Sequence, residues 1–141
     1  ILSSSSAMSL GDQPVRASVD RFIAALRDAI TASEKTVCVI AAGELAHLGM
    51  RYGDSVPPTD FSFHRSMQYD LEMLKFVEEL KPEEFAAYIQ KEKDQRRISG
   101  FSPIYSLLRL IQAEKGQVLR YDRGITDQYN STVTYASMAF F

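Results

Sequence analysis

Apolar residues recur at intervals of three and four in two parts of the chain, and this spacing predicts two amphipathic helices. The first is expected from Val15 to about Ser33, and the second from about Phe63 to Leu80. The stretch before them, Ile1 to Pro14, is interpreted as an extended piece followed by a flexible loop rich in serine and glycine. The two apolar stripes consist of Val19, Phe22, Ile23, Leu26 and Ile30, and of Met67, Leu71, Leu74 and Val77.

Proline and glycine positions predict two further helices. Pro82 suits the first turn of a helix that fades into Arg96-Arg97-Ile98. Another helix is expected to begin with Ser102 as its capping residue and Pro103 as its first helical residue. Gly116 is a natural stop for that helix, because glycine accepts the left-handed conformation found at helix ends.

The segment Thr36 to Ala41 has a different pattern, a continuous apolar and β-branched run without alternating polar positions. Such a run is typical of a central strand that is covered on both faces. A helix followed by such a strand predicts an α/β fold with a parallel or mixed central sheet flanked by helices. Two more strands are expected at Val118 to Tyr121 and at Thr132 to Phe140, joined by a polar turn.

Composition agrees with a soluble globular domain, since 45% of the residues are hydrophobic and 24% are charged. The net charge of −2 supplies no basic field that would attract nucleic acid. Lys91, Lys93, Arg96 and Arg97 form a small basic cluster, but acidic residues alternate with them, which favours a solvated helix end. No apolar run approaches the roughly 20 residues of a membrane-spanning helix. We therefore expect neither nucleic acid nor a membrane as a partner.

The single cysteine, Cys38, cannot form an internal disulfide, which favours a reducing, cytoplasmic location. It lies within an apolar run, so we expect a buried and inert thiol. The chain begins at Ile1 without the basic and apolar stretches of a signal peptide. The missing initial methionine favours a processed product or a partial chain.

Glu44 and His47 stand three residues apart just beyond the predicted central strand, between Gly43 and Gly49. A carboxylate and an imidazole in this position could share a proton, bind a metal or orient a substrate. A pair that only braces the loop is the simpler alternative. Because ligand sites gather at the carboxyl ends of strands in open α/β sheets, Glu44 and His47 are the first candidates for a functional site.

Two other positions are weaker candidates for a functional role. His64 stands at the start of a predicted helix, where a histidine is usually structural. Ser99 and Gly100 precede another helix, whose free backbone N–H groups would favour an anion, although a tight turn explains Gly100 equally well. The sequence contains no zinc-type His/Cys cluster, no Gly-x-Ser-x-Gly elbow, no Walker-type loop and no dinucleotide fingerprint.

Three segments resemble the Memo family, whose bacterial members are often described as component B of the AmmeMemoRadiSam system. Val39 to Gly49, followed by Arg51-Tyr52-Gly53, resembles a strand and loop that read Ser-Ser-Asp, two variable residues, His, an aromatic or apolar residue, and Gly. Arg97 to Ile104 is similar to the family's Ile-Cys-Gly-x-x-Pro-Ile stretch, and Ser131 to Phe140 is similar to its terminal strand. Order and spacing also agree, so the resemblance covers most of the chain from about Val15.

The resemblance implies an α/β fold with a mixed central sheet, similar to class III extradiol dioxygenases, which use non-haem iron(II) to open catechol rings. Memo proteins are described as lacking that established activity while keeping a pocket at the equivalent place. Carried over by resemblance, the acidic position falls on Glu44, the loop histidine on His47 and the cysteine position on Ser99. These three are the implied catalytic residues, and His47 and Glu44 are the implied metal ligands.

The sequence departs from the family pattern in three ways. Glu44 replaces the usual aspartate, Ser99 replaces the cysteine, and the family's other site histidines lie in an N-terminal half without a counterpart here. Three protein ligands are the ordinary minimum for catalytic zinc or a facial-triad iron. We therefore expect Fe(II) or another divalent metal, if it is the cofactor, to bind only weakly.

These observations predict that residues 1–141 form one partial Memo-like domain, equivalent to the C-terminal half. We expect an N-terminal segment, a second chain or a symmetry mate to pack against it, and a small molecule to be its ligand. Three functions remain open. They are a module with a cleft at Glu44 and His47 in a binding or redox-associated role, an iron(II)-dependent oxygenase with further ligands in the missing half, and a structural half-domain with a degenerate site.

Overall fold

The computed structural model describes residues 7–141, in which four α-helices pack with one three-stranded sheet. The expected α/β fold class is thereby confirmed. No helix in the described part of the chain is long and apolar enough to cross a membrane. The elements are α1 (Gln13–Ala32), β1 (His47–Leu48), α2 (Asp60–Glu78), α3 (Pro82–Lys91), α4 (Phe101–Leu110), β2 (Gly116–Ile125) and β3 (Thr132–Phe140), with short 3-10 turns at Ala7–Gly11 and Met50–Tyr52.

The start of the chain differs from the flexible loop expected there. Ser3 to Ser6 and the extended piece before them lie outside the described residues. From Ala7 the chain forms a 3-10 turn in which Ala7 and Leu10 are buried. Gln90 Nε2 donates a hydrogen bond of 2.6 Å to the Ala7 carbonyl, so this turn is fixed to α3.

The sheet has the order β1-β3-β2, and both strand pairs are antiparallel. Strand β3 has the predicted bounds, whereas β2 begins at Gly116, which pairs with Phe140. Gly116 is therefore a strand residue, and the expectation that it stops the preceding helix is wrong. The short strand β1 pairs His47 with Val133 and places the histidine beside the central strand of the sheet.

The predicted central strand at Thr36 to Ala41 is not formed. This segment is extended and mostly exposed, with Ile40 at 82%, and within residues 7–141 it makes no backbone–backbone hydrogen bond. A strand needs a neighbour, and the chain first pairs with β3 only at Leu45, whose N–H donates to Thr134. Cys38 is consequently exposed, so the prediction of a buried thiol is also wrong. Without this strand, the described sheet is antiparallel rather than mixed.

The core lies where α2, α3 and α4 meet one another and the inner face of the sheet. Phe85 and Ile89 of α3 are fully buried, and the Phe85 ring stacks on Phe101 of α4 with centroids 5.6 Å apart. Burial of each such side chain stabilises the fold by about 1.5–3 kcal/mol. These contacts hold the helices that carry the site-supporting residues.

Two helix details differ from the sequence interpretation. In α2 the buried face includes Asp70, whereas Leu71, assigned to the apolar stripe, is 39% exposed. The buried face of α2 therefore differs from the predicted one, because Asp70 forms an ion pair with Arg96 inside the core. Helix α4 is capped at Gly100 and starts at Phe101, which is buried. Pro103 still falls in the first turn, where proline is tolerated because the N–H groups there have no intrahelical partner.

Candidate functional site

The loop between the extended segment and β1 brings together the residues that the sequence singled out. His47 Nε2 lies 3.0 Å from Glu44 Oε2, and Ser99 Oγ lies 3.4 Å from the Glu44 carbonyl oxygen. The Glu44 side chain is 57% exposed and the His47 side chain 12%. The pair therefore presents a solvent-facing carboxylate beside a largely but not fully buried imidazole.

Backbone carbonyls fix the orientation of the His47 ring. Its Nδ1 lies 2.9 Å from the Arg97 carbonyl and 3.1 Å from the Leu45 carbonyl. A carbonyl oxygen only accepts hydrogen bonds, so Nδ1 must carry a hydrogen. This assigns Nε2 to the contact with Glu44, where one proton can be shared between nitrogen and carboxylate. The Tyr52 ring meets the imidazole edge-on at 4.8 Å and packs its other side.

Arg97 holds the loop that carries the histidine. Its Nη1 donates to the His47 carbonyl at 3.1 Å, and its Nη2 donates to Asp54 Oδ1 at 2.7 Å. The second Asp54 oxygen accepts from the Gly49 N–H at 2.7 Å. Arg97 has φ of 55°, a left-handed conformation that is uncommon outside glycine and is found at functional sites. This arginine therefore braces both sides of His47.

Two glycines allow the Glu44 loop to approach the start of α4. The Gly100 N–H donates a 2.6 Å hydrogen bond to the Glu44 carbonyl. A Cβ on Gly100 would lie 2.6 Å from that carbonyl, and a Cβ on Gly43 would lie 2.6 Å from the Gly100 Cα. Both contacts are with backbone that cannot move aside easily, so the close approach of Glu44 and Ser99 requires glycine at both positions.

The suggested anion site at the start of α4 has little support, because its N–H groups are used within the protein. The Gly100 N–H bonds Glu44, the Phe101 N–H bonds the Ile98 carbonyl at 3.2 Å, and Pro103 has no N–H. These hydrogen bonds instead favour the tight-turn interpretation of Gly100.

A buried polar network below the loop was not predicted from the sequence. Asp70 is completely buried and accepts hydrogen bonds from Thr134 Oγ1 at 2.6 Å, from Tyr121 at 2.8 Å and from the Arg96 guanidinium. Thr134 Oγ1 in turn accepts from the Ala46 N–H at 2.8 Å, immediately before His47. The network thus connects α2 and both long strands to the site loop.

Arg96 does not lie at a solvated helix end, as the basic cluster had suggested. It is buried, and Glu92 accepts two further hydrogen bonds from it, both at 2.9 Å. Its own carbonyl accepts from the His47 N–H at 2.8 Å. The alternating charges at residues 92–97 are therefore partly an internal ion-pair system. The one sequence signal for it is Asp70 beside an apolar stripe, which is weak.

Burial raises the pKa of the Asp70 carboxyl, while Arg96, Thr134 and Tyr121 act against that shift. All three neighbours donate hydrogen bonds to it, an arrangement that suits the ionised carboxylate. Burial also raises the pKa of the Tyr121 phenol, and the nearby Asp70 charge raises it further. Tyr121 therefore remains a donor at neutral pH.

The remaining candidates lie elsewhere. His64 is exposed near the start of α2, one turn after Asp60, and its Nδ1 lies 2.7 Å from the Asp60 carbonyl. Two cavities, of about 710 and 690 Å³, border the sheet and the helices, but Glu44, His47 and Ser99 line neither of them. The described geometry brings the three site residues together at a loop surface.

The donor set does not fit a catalytic divalent metal. Among the described residues, no group of three or more His, Cys, Asp or Glu side chains is arranged around one point. The His47 nitrogens already face two carbonyls and Glu44, and Ser99 offers only a neutral hydroxyl. A site with one imidazole and one carboxylate falls short of the three protein ligands that catalytic zinc or iron uses.

Comparison with known protein families gives a match over most of the chain. The family model described as Memo-like protein matches residues 8–139, nearly the whole chain. No curated protein matches the chain.

Proposed function

The chain belongs to the Memo-like protein family, and on that premise we propose that it is a small-molecule binding module whose site is the Glu44–His47 pair. The observation that carries this proposal is the fixed imidazole, with Nδ1 on two carbonyls and Nε2 3.0 Å from Glu44. Such a pair can donate or accept one proton without rearrangement. It suits a ligand that carries a hydroxyl group.

Each residue has a distinct part in this proposal. Glu44 is the exposed acceptor for a ligand hydroxyl, and His47 Nε2, 3.0 Å from Glu44 Oε2, orients that carboxylate. Ser99 lies beside that loop, in the segment just before α4, where its hydroxyl can give a further hydrogen bond. A serine does not undergo the thiol chemistry of a cysteine, so a redox role for this position has no support from its side chain.

Histidine-detected NMR can test the site, because the chain has only two histidines. Catechol is the probe, and 1,2-dimethoxybenzene, which keeps the ring but cannot donate a hydrogen bond, is its matched control. We expect catechol to shift the His47 resonances and the dimethoxy compound to leave them unchanged. Glu44→Gln should weaken catechol binding about tenfold, the usual scale for a hydrogen bond to a charged group.

His64→Gln assigns the second resonance and serves as the matched control variant, since His64 is exposed near the start of α2. It should leave the affinity for catechol unchanged. Equal shifts at both histidines, or no shift of His47 at millimolar catechol, would rule out this site.

An iron(II)-dependent oxygenase is the alternative that the superfamily resemblance offers, but the described donors do not fit an iron site. We predict that dialysed protein retains iron, copper or zinc well below one equivalent, because two ligands bind a divalent metal weakly. Metal analysis by mass spectrometry, together with titration calorimetry, measures this. Stoichiometric metal that is lost in His47→Ala would show that further ligands exist.

A further inference from the structure

A second cavity, of about 690 Å³, lies between α2, α3 and the loop that precedes α2. Leu48 and Arg97 connect its wall to the site loop, but none of Glu44, His47 and Ser99 lines it. Its volume falls within the range of small-molecule sites, which is about 300–1,000 Å³. The cavity is thus a separate place where a ligand would fit.

Ser66 is the feature that distinguishes this cavity. It lines the wall although it is only 3% exposed, and in the described part of the chain its Oγ is the one buried side-chain polar atom without a hydrogen-bond partner. An unpaired buried hydroxyl costs about 1–3 kcal/mol, so native structures rarely leave one without a partner. A bound group or a water molecule would satisfy it.

The charges around the cavity favour an anionic ligand. Arg96 and Arg97 are already paired with carboxylates, including Glu92 and Asp54. Arg65 and Lys91, by contrast, form no ion pair within residues 7–141.

Glu72 is the remaining acidic group on the wall, and it accepts a 2.9 Å hydrogen bond from Tyr88. Burial, together with the Glu72 charge, raises the pKa of the Tyr88 phenol, so this tyrosine stays a donor at neutral pH. Two unpaired cations therefore oppose one hydrogen-bonded carboxylate.

One side of the wall is apolar and aromatic. Val56, Pro57 and Pro58 supply a rigid apolar side, and Tyr69 of α2 is 41% exposed beside them. A proline pair has little conformational freedom and therefore offers a preformed surface. The cavity combines this surface with cationic groups, which suits a ligand with an apolar body and a carboxylate.

We propose that this cavity binds a small organic carboxylate, held by Arg65 and the Ser66 hydroxyl on one turn of α2, with Lys91 adding charge and the apolar body against Pro57 and Pro58. Arginine and a hydroxyl both donate to carboxylate oxygens. The Ser66 hydroxyl then gains the acceptor that it lacks. This site does not depend on the proposed function of Glu44 and His47.

Three probes of similar size that share the phenyl ring differ in charge: benzoate, benzyl alcohol and benzylamine. Titration calorimetry on the full chain should give the lowest Kd for benzoate, with at least about tenfold weaker binding of the neutral alcohol. Benzylamine should be the weakest. Arg65→Gln, Lys91→Gln and Ser66→Ala should each raise the Kd for benzoate at least about threefold.

Lys75→Gln is the matched control, because it removes one charge from the same helix at an exposed position that does not line the cavity. It should leave the Kd for benzoate unchanged. Urea denaturation checks that each variant is folded, and Ser66→Ala removes only an unpaired hydroxyl.

Equal affinity for the three probes, or unchanged binding in the three cavity variants, would overturn the proposal. A crystal structure grown with benzoate gives the last distinction. The carboxylate should lie within hydrogen-bond distance of Ser66, whereas a structural water on Ser66 with no benzoate nearby would contradict the site.

Discussion

Asp70 is a fully buried carboxylate whose charge is balanced by Arg96 and by two hydroxyl donors. Asp70→Asn keeps the shape but places an amide N–H₂ group where only acceptors fit, so one donor loses its partner. We predict a decrease of about 3 kcal/mol in the free energy of unfolding, the scale for breaking a buried ion pair. Urea denaturation at neutral pH measures it.

Tyr121→Phe is the graded comparison, because it removes one of the three donors to Asp70 and leaves Arg96 in place. A decrease of about 1 kcal/mol is expected. Should Asp70→Asn cost no more than Tyr121→Phe, the ion pair would not be the main stabilising part of this network.

Glu83 gives the fold a pH dependence of known sign. Partial burial raises its pKa, but hydrogen bonds from Arg16 and Tyr105 outweigh that effect, so the pKa lies below its usual value. The stabilisation is therefore present above the unfolded-state pKa of about 4.3 and is lost as the pH falls through the folded value. We predict that the free energy of unfolding at pH 6 is up to about 1 kcal/mol larger for the wild type than for Glu83→Gln. The difference is limited because the ion pair of Arg16 and Glu83 is half-exposed.

That difference should shrink steadily between pH 5 and the folded-state pKa, as followed by urea denaturation at several pH values. Arg16→Gln removes one donor to Glu83 and should show a smaller pH dependence of the same sign. A difference between wild type and Glu83→Gln that is constant across this range would contradict the assigned shift.

Helix α2 carries Asp70, Ser66 and much of the second cavity, so its first turn matters to both features. Thr59 caps it by accepting the Ser62 N–H at 3.1 Å, while Ser62 Oγ accepts the Thr59 N–H at 2.8 Å. Thr59→Ala should lower the free energy of unfolding by about 1 kcal/mol. Thr31→Ala, which removes only an exposed hydrogen bond inside α1, should change it by less than about 0.5 kcal/mol. Equal effects would argue against the capping role.

At the level of elements, the sequence pattern predicts those helices and strands that depend on the spacing of nearby residues. The four helices and β3 follow from apolar periodicity and from proline positions, and each is found close to its expected place. The strand predicted at Thr36 to Ala41 is not formed, because an apolar run indicates a segment that needs cover but does not show whether a neighbouring strand exists. The burial of Asp70 could not be predicted for a related reason, since it depends on Arg96, which lies 26 residues away.

The candidate site divides in the same way. The contact between Glu44 and His47 is local, and a spacing of three residues predicted it. The resemblance placed Ser99 beside them, and the structure brings it to the Glu44 carbonyl. The bracing by Arg97 could not be read from the sequence, because it depends on a left-handed backbone conformation that no motif indicates.

At the scale of the whole molecule, one surface exposes apolar side chains that no other part of the described chain covers. The extended segment Thr36 to Ala41 forms part of a cavity of about 710 Å³ with the ends of α1 and α4 and with β3. Ile40 is 82% exposed and Val37 is 44% exposed. Their backbone groups also lack partners within residues 7–141, which resembles an open strand edge. Apolar patches on soluble monomers rarely exceed a few hundred Å².

We therefore predict that the 141-residue chain either self-associates or binds a hydrophobic dye through this surface. Size-exclusion chromatography with light scattering gives the mass, and fluorescence of an anilinonaphthalene dye reports the exposed apolar surface. The double variant Val37→Thr and Ile40→Thr should lower both signals, because it removes apolar area while keeping β-branched side chains. Ile125→Thr, at an exposed position outside the cavity, should not. A monomer that unfolds cooperatively and does not bind the dye would mean that this apolar surface needs no further cover. The expectation of a packing partner would then be wrong.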